Sequence, residues 1–179
     1  METQTQNNWV IDVAHSEIQF KVRHMVISTV TGYFRKFEGG FQMSAEDFTT
    51  ARIWFKADIN SIDTNSEQRD GHLKSADFFD AESHPELSFQ STSVRSIGDN
   101  NYEVMGNMSL RGVSKEVALH VEYNGTLVDP WGMTRSGYHI SGSINRKDFG
   151  LAWSAVTEAG GLVVSDDVKL YINAELTKA

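Results

Sequence analysis

Apolar and polar side chains alternate with a period of two through most of this sequence, the pattern of strands with one face buried and the other wetted. Ile18, Phe20 and Val22 alternate with Gln19, Lys21 and Arg23, and Ile53, Phe55, Ala57 and Ile59 alternate with Arg52, Trp54, Lys56 and Asp58. The same parity carries Leu87 and Phe89, Tyr102 through Leu110, Val117 through Tyr123, Tyr138 through Ile144, and Val168 through Leu176. Gly-Asp-Asn-Asn at 98–101 and Asn124-Gly125 read as hairpin turns. One stretch, 61–86, breaks the alternation and predicts two short helices, with Thr64 and Glu67 as a capping box and Ser75 capping the second. About eight antiparallel strands around one helical insert leave edges that must be hidden, and closure into a barrel hides them. The expected fold is therefore all-β, an eight-stranded antiparallel barrel forming a single domain over 9–179, after a disordered tail at 1–8.

Composition excludes several functions. The chain of 179 residues contains no cysteine, which removes disulfides, thiol nucleophiles, thiolate zinc sites and iron–sulfur clusters. With 16 Lys and Arg against 24 Asp and Glu, it lacks the basic clusters that a nucleic acid or anionic membrane surface demands. No apolar run approaches the ~20 residues of a membrane span. The first eight residues have neither the basic start nor the apolar stretch of a secretory signal. As the sequence begins at Met1, the expected location is the cytoplasm, or the periplasm if a leader has been removed.

Catalytic and metal-binding patterns are weak. Asp12, His15 and Ser16 supply the side chains of a hydrolase triad, but five extended residues do not converge on one substrate atom, so they read as a polar turn. The six histidines, at 15, 24, 72, 84, 120 and 139, lack ligand spacing, and His120 and His139 have solvent parity. Arg69, Asp70 and His72 read as a structural cluster, and Gly39-Gly40 and Gly160-Gly161 as bends rather than phosphate loops. The residues predict no metal and no cofactor, and leave open an enzyme working inside the barrel or a filled barrel serving as an interaction module.

On the inward face of the strands stand four small residues, Ala57, Gly106, Gly142 and Ala174. They either leave a cavity or mark sharp bends, and periodicity does not choose between these. Continued parity also turns His24 and Arg146 inward at strand ends. A buried guanidinium must meet a carboxylate, carbonyls, an aromatic face or an anionic ligand, and Asp148 is a nearby partner. Arg146 then either closes a barrel end against Trp9 or Trp153 or meets the polar end of a ligand, while His24 either makes one core hydrogen bond or joins it.

Several segments together carry a family resemblance: WVIDVAHSEIQFKVRHM at 9–25, GYFRKFEGGF at 32–41, SIDTNSEQRDGHLKSADFFD at 61–80, HPELSFQS at 84–91, RGVSKEV at 111–117, NRKDFGLAW at 145–153 and DDVKLYINAEL at 166–176. In order and spacing, the chain resembles the YceI-like, polyisoprenoid-binding family. The resemblance implies an extended, lipocalin-like barrel that holds a long-chain isoprenoid or fatty amphiphile without catalysis, and a homodimer is compatible with it. Candidate liners of the tunnel are then Phe20, Val22, Ile53, Phe55, Ala57, Phe89, Met108, Leu110, Ile140, Gly142 and Ile144, with Phe78 and Phe79 closing one end. His24 and Arg146 are the head-group candidates.

Overall fold

In the computed structural model, which describes residues 5–154 and 164–179, antiparallel pairing runs through β1 (Gln6–Ile11), β4 (Phe37–Ser44), β5 (Asp47–Asp58), β7 (Glu86–Gly98), β8 (Asn101–Leu110), β9 (Val113–Val128), β10 (Thr134–Asn145) and β11 (Asp167–Lys178). β11 pairs back onto β1 through Trp9↔Lys178 to Ile11↔Leu176, which closes an eight-stranded barrel. Three further strands, β2 (Glu17–His24), β3 (Ser28–Phe34) and β6 (Ile62–Asp63), prolong β1, β4 and β5 toward one end, here the upper end. The barrel is thus built from eight long strands, three of them broken.

The break between β1 and β2 follows from a mismatch in length. Ile11 faces Leu176 and Glu17 faces Asn173, so six steps on one strand span three on its neighbour. The surplus loops out as a 3-10 turn, Val13–His15, capped by the Asp12 side chain. The next strand bends between Phe34 and Phe37, where Arg35 N–H donates to Ser61 O and Asp58 N–H donates to Lys36 O.

Four expected features change. The tail at 1–8 is shorter, because Gln6, Asn7 and Asn8 pair with Ser44, Met43 and Gln42 and Asn7 is buried; residues 1–4 lie outside the described residues. The insert holds one helix, α1 (Glu67–Lys74), whose cap is Ser66 rather than Thr64. Thr64 instead binds Asp70 through both its N–H and its hydroxyl, and Ser75 starts a hydrogen-bonded turn, not a second helix. Asn124-Gly125 lies within β9 beside a bulge at Gly137/Tyr138, and the chain reverses farther on, around Asp129. Gly39 and Gly40 lie within β4, where a Cβ at Gly40 would come 2.3 Å from Trp9 O. Gly160 and Gly161 lie outside the described residues.

Candidate functional site

Inward side chains enclose two chambers that share Phe34, Leu87, Ile144 and Leu170. The lower, about 150 Å³, is bordered by Ile53, Phe55, Phe89, Met108, Ile140 and Ile144, together with Ala174 and other aliphatic groups. The upper, about 210 Å³, is bordered by Phe20, Val22, Leu110, Ile144, Phe78 and Phe79, and also by His24 and Arg146. Together they fall within the ~300–1,000 Å³ range of small-molecule pockets.

Below the lower chamber, aromatic rings form a plug. Phe41 stacks on Trp9 at 5.9 Å and meets Phe48 edge-on at 5.3 Å, and Phe48 stacks on Tyr138 at 5.4 Å. Burial pushes the Tyr138 hydroxyl up to about 12, so this ring stays neutral. Beneath it, Arg135 donates to Asp129 at 2.6 Å, Asp12 at 2.7 Å and Glu175 at 3.1 Å, tying the β9–β10 turn to the 3-10 turn and to β11. These hydrogen bonds hold the Asp129 and Asp12 carboxyls below the usual carboxylate range.

The upper chamber has a different character. Arg23, His24, Arg69, His72 and Arg146 border it, and no carboxylate does so among the described residues. Arg69 is oriented by Thr64: its Nε donates to Thr64 Oγ1 at 2.8 Å and its Nη2 to Thr64 O. Among the described residues its Nη1 has no protein partner. His72 is held by Asp77 at 2.9 Å and packs edge-on against Phe78 and Trp153. His24 makes no side-chain hydrogen bond among the described residues. Sequence reading had set Arg69 aside with the helix; the signal that places it here is the capping of α1, which turns Arg69 back toward Thr64.

Three sequence candidates are relocated. Arg146 is 3% exposed and spends its donors on carbonyls: Nε to Ser165 at 2.9 Å, and Nη1 to Leu151 at 2.5 Å and to Trp153 at 2.7 Å. Its nearest carboxylate is Asp166 at 3.6 Å rather than Asp148, and its aromatic neighbour is Phe78, at 5.9 Å, not the Trp9 or Trp153 ring. Arg146 therefore closes the barrel end instead of presenting a fork to a head group. Ala57 and Gly142 border neither chamber. A Cβ at Gly142 would lie 2.7 Å from Leu119 Cδ2, and one at Gly106 2.4 Å from the Phe89 ring, so neighbouring side chains already fill the space above these glycines.

No triad forms from Asp12, His15 and Ser16. Asp12 meets His15 Nδ1 at 2.8 Å, but the Ser16 hydroxyl donates to Glu175 O and accepts from Glu175 N–H. Asp12, His15 and Glu175 offer ligand atoms within 4.8 Å of one another, yet the Arg135 guanidinium already supplies the positive charge between the two carboxylates.

This architecture is shared. A profile described as the YceI-like domain matches residues 9–176. The chain belongs to the YceI-like family. A UPF0312 protein of Serratia proteamaculans is 37% identical to this YceI-like chain over 165 residues, 92% of this chain and 82% of that one. A crystal structure of the Campylobacter jejuni YCEI protein superposes with a TM-score of 0.75 at 28% identity, covering 87% of this chain and 88% of that one. A polyisoprenoid binding domain from Saccharophagus degradans, described as implicated in plant cell wall breakdown, shares the fold with a TM-score of 0.70 at 17% identity, covering 96% and 98%. Among the described residues of this YceI-like barrel, no helix is long and apolar enough to cross a membrane.

Proposed function

We propose that this YceI-like barrel binds one long-chain amphiphile, an isoprenoid in preference to a straight fatty chain, with its tail in the lower chamber and an electronegative head in the upper. The observation that carries the reading is the junction of an apolar chamber with one bordered by five cationic or protonatable side chains and no carboxylate among the described residues. The Saccharophagus degradans neighbour, named for binding polyisoprenoids, supports the ligand class. Each buried methylene contributes ~0.8 kcal/mol, so a ten-carbon tail gains about 8 kcal/mol before ordering costs. The role is binding, as in transport or storage, since no nucleophile and base converge in either chamber among the described residues.

Solvent extraction of the purified protein followed by mass spectrometry should return an isoprenoid with a phosphate, carboxylate or quinone head. Arg69→Met should weaken binding of a polyprenyl phosphate about tenfold or more and leave the matching hydrocarbon unchanged. An empty extract with no uptake of added polyprenyl compounds refutes the reading.

A further inference from the structure

Main-chain hydrogen bonding does not run unbroken around the barrel wall. β1 pairs with β4 only as far as Val10↔Gly40, and β2 takes up β3 only from Gln19↔Tyr33. Among the described residues no hydrogen bond joins 12–17 to 35–38. Measured on β11, where Ile11 faces Leu176 and Ile18 faces Ile172, this slit is four residues long, or ~13 Å.

Both lips are held apart. On one, the surplus residues of the 3-10 turn are pinned to β11: Asp12 N–H and the Ser16 hydroxyl bond Glu175 O, and the Asp12 carboxylate bonds Arg135 at 2.7 Å. On the other, Gly39 presents no side chain at the lower end of the gap. The lower chamber extends into the gap, since its border includes Ile11, Ile18 and Phe34 as well as Gln19 and Trp54, whose strand parity points outward. Outside, Val10 and Trp54 both face Gly40 in register and are 47% and 41% exposed, so the outer surface at the slit is apolar as well. The aromatic plug closes the chamber below, and the upper chamber lies above it, bordered by the insert and Arg146.

We propose that this slit is the lateral portal by which the alkyl chain of an amphiphile enters and leaves the lower chamber, an inference that rests on the lipid-binding reading above. A portal changes rates and not equilibrium, because it lies on the path and not in the bound state.

Since the chain has no cysteine, a single one can be placed and loaded with a bulky polyethylene glycol maleimide. Glu38→Cys and Glu17→Cys sit on the two lips, and Ile27→Cys sits on the upper hairpin. The probe is a fluorescent conjugated-polyene fatty acid in stopped flow. Labels at Glu38→Cys and Glu17→Cys should slow association and release alike by about tenfold, with Kd held within about twofold, while the label at Ile27→Cys leaves both rates unchanged. Slowing confined to Ile27→Cys, equal slowing by all three labels, or no change with any label overturns the portal while lipid binding stands. Failure of the unlabelled chain to take up polyene or polyprenyl ligand overturns the lipid-binding reading and the portal with it.

Discussion

Replacing Arg146 with Met separates closure of the barrel end from contact with a ligand. The guanidinium satisfies the carbonyls of Ser165, Leu151, Trp153 and Val164 from a site that is 3% exposed. Met keeps much of the volume but removes every donor, leaving four carbonyls in a place that water reaches poorly. Each unmet buried acceptor costs ~1–3 kcal/mol, and removing one side of a buried charged network costs ~3–5 kcal/mol. We expect a loss of about 4 kcal/mol, which in a domain of this size lowers Tm by roughly 8–16 °C. Arg146→Lys should recover only part of it, because an ammonium does not span carbonyls on two separate segments as the planar fork does. The assay is thermal unfolding beside affinities for a polyprenyl phosphate and the corresponding hydrocarbon, measured well below the variant's Tm. Affinity for both ligands should fall together or not at all. A Tm within about 2 °C of the parent, with loss confined to the phosphate, would refute the structural role and return Arg146 to the head group.

Other outcomes follow from the same geometry. Because Arg135 depresses the folded-state pKa of Asp129, the stabilisation is present above the ordinary carboxyl range near ~4 and is lost as pH falls through the depressed value; melts between pH 2 and 7 should show a smaller acid-side loss for Asp129→Asn and a lower Tm at neutral pH. Gly40→Ala places a Cβ against the Trp9 carbonyl and should cost ~1–3 kcal/mol in denaturant unfolding, although the residue is small and lies on the surface side. Ala174→Leu, in contrast, adds bulk inside the lower chamber and should reduce lipid uptake in a titration while the circular dichroism spectrum stays that of a barrel.

The barrel was legible because several of its strands obey strict alternation: β5, β8, β10 and β11 each carry four or more inward apolar or small residues at period two. What escaped was the broken half. β4 reads Phe-Glu-Gly-Gly-Phe, and a glycine pair resembles a bend although here it permits close strand approach to Trp9. β3 carries Gly32 at an inward position, and only the structure shows the Phe20 ring covering it. The same limit misled the reading of the chambers, since parity states that Gly142 faces inward but not that Leu119 leans over it. Thirteen of the fifteen candidate residues border a chamber; Ala57 and Gly142 do not. Arg146 borders one with its donors already spent, and no periodic pattern announces which carbonyls a guanidinium will meet. Arg69 escaped for the opposite reason: a charged residue on a short helix looks solvated until the cap fixes its direction.

The seam between the first and last strands bears on how the molecule is made. Trp9 lies opposite Lys178, and Ala179 N–H reaches Asn8 O at 2.8 Å, so β1 and β11 meet at one seam. A ribosome delivers β1 first and its β11 partner last. Until β11 emerges, the nascent sheet presents two unpaired edges and an open apolar trough, the condition in which β-rich chains associate with one another. The contacts that seal the wall are also among the most distant in sequence, which places ring closure late and makes it slow compared with formation of the β7–β8 and β8–β9 hairpins. The same adjacency puts β1 and the end of β11 within reach of a short peptide, so the order in which strands leave the ribosome is separable from the fold they reach.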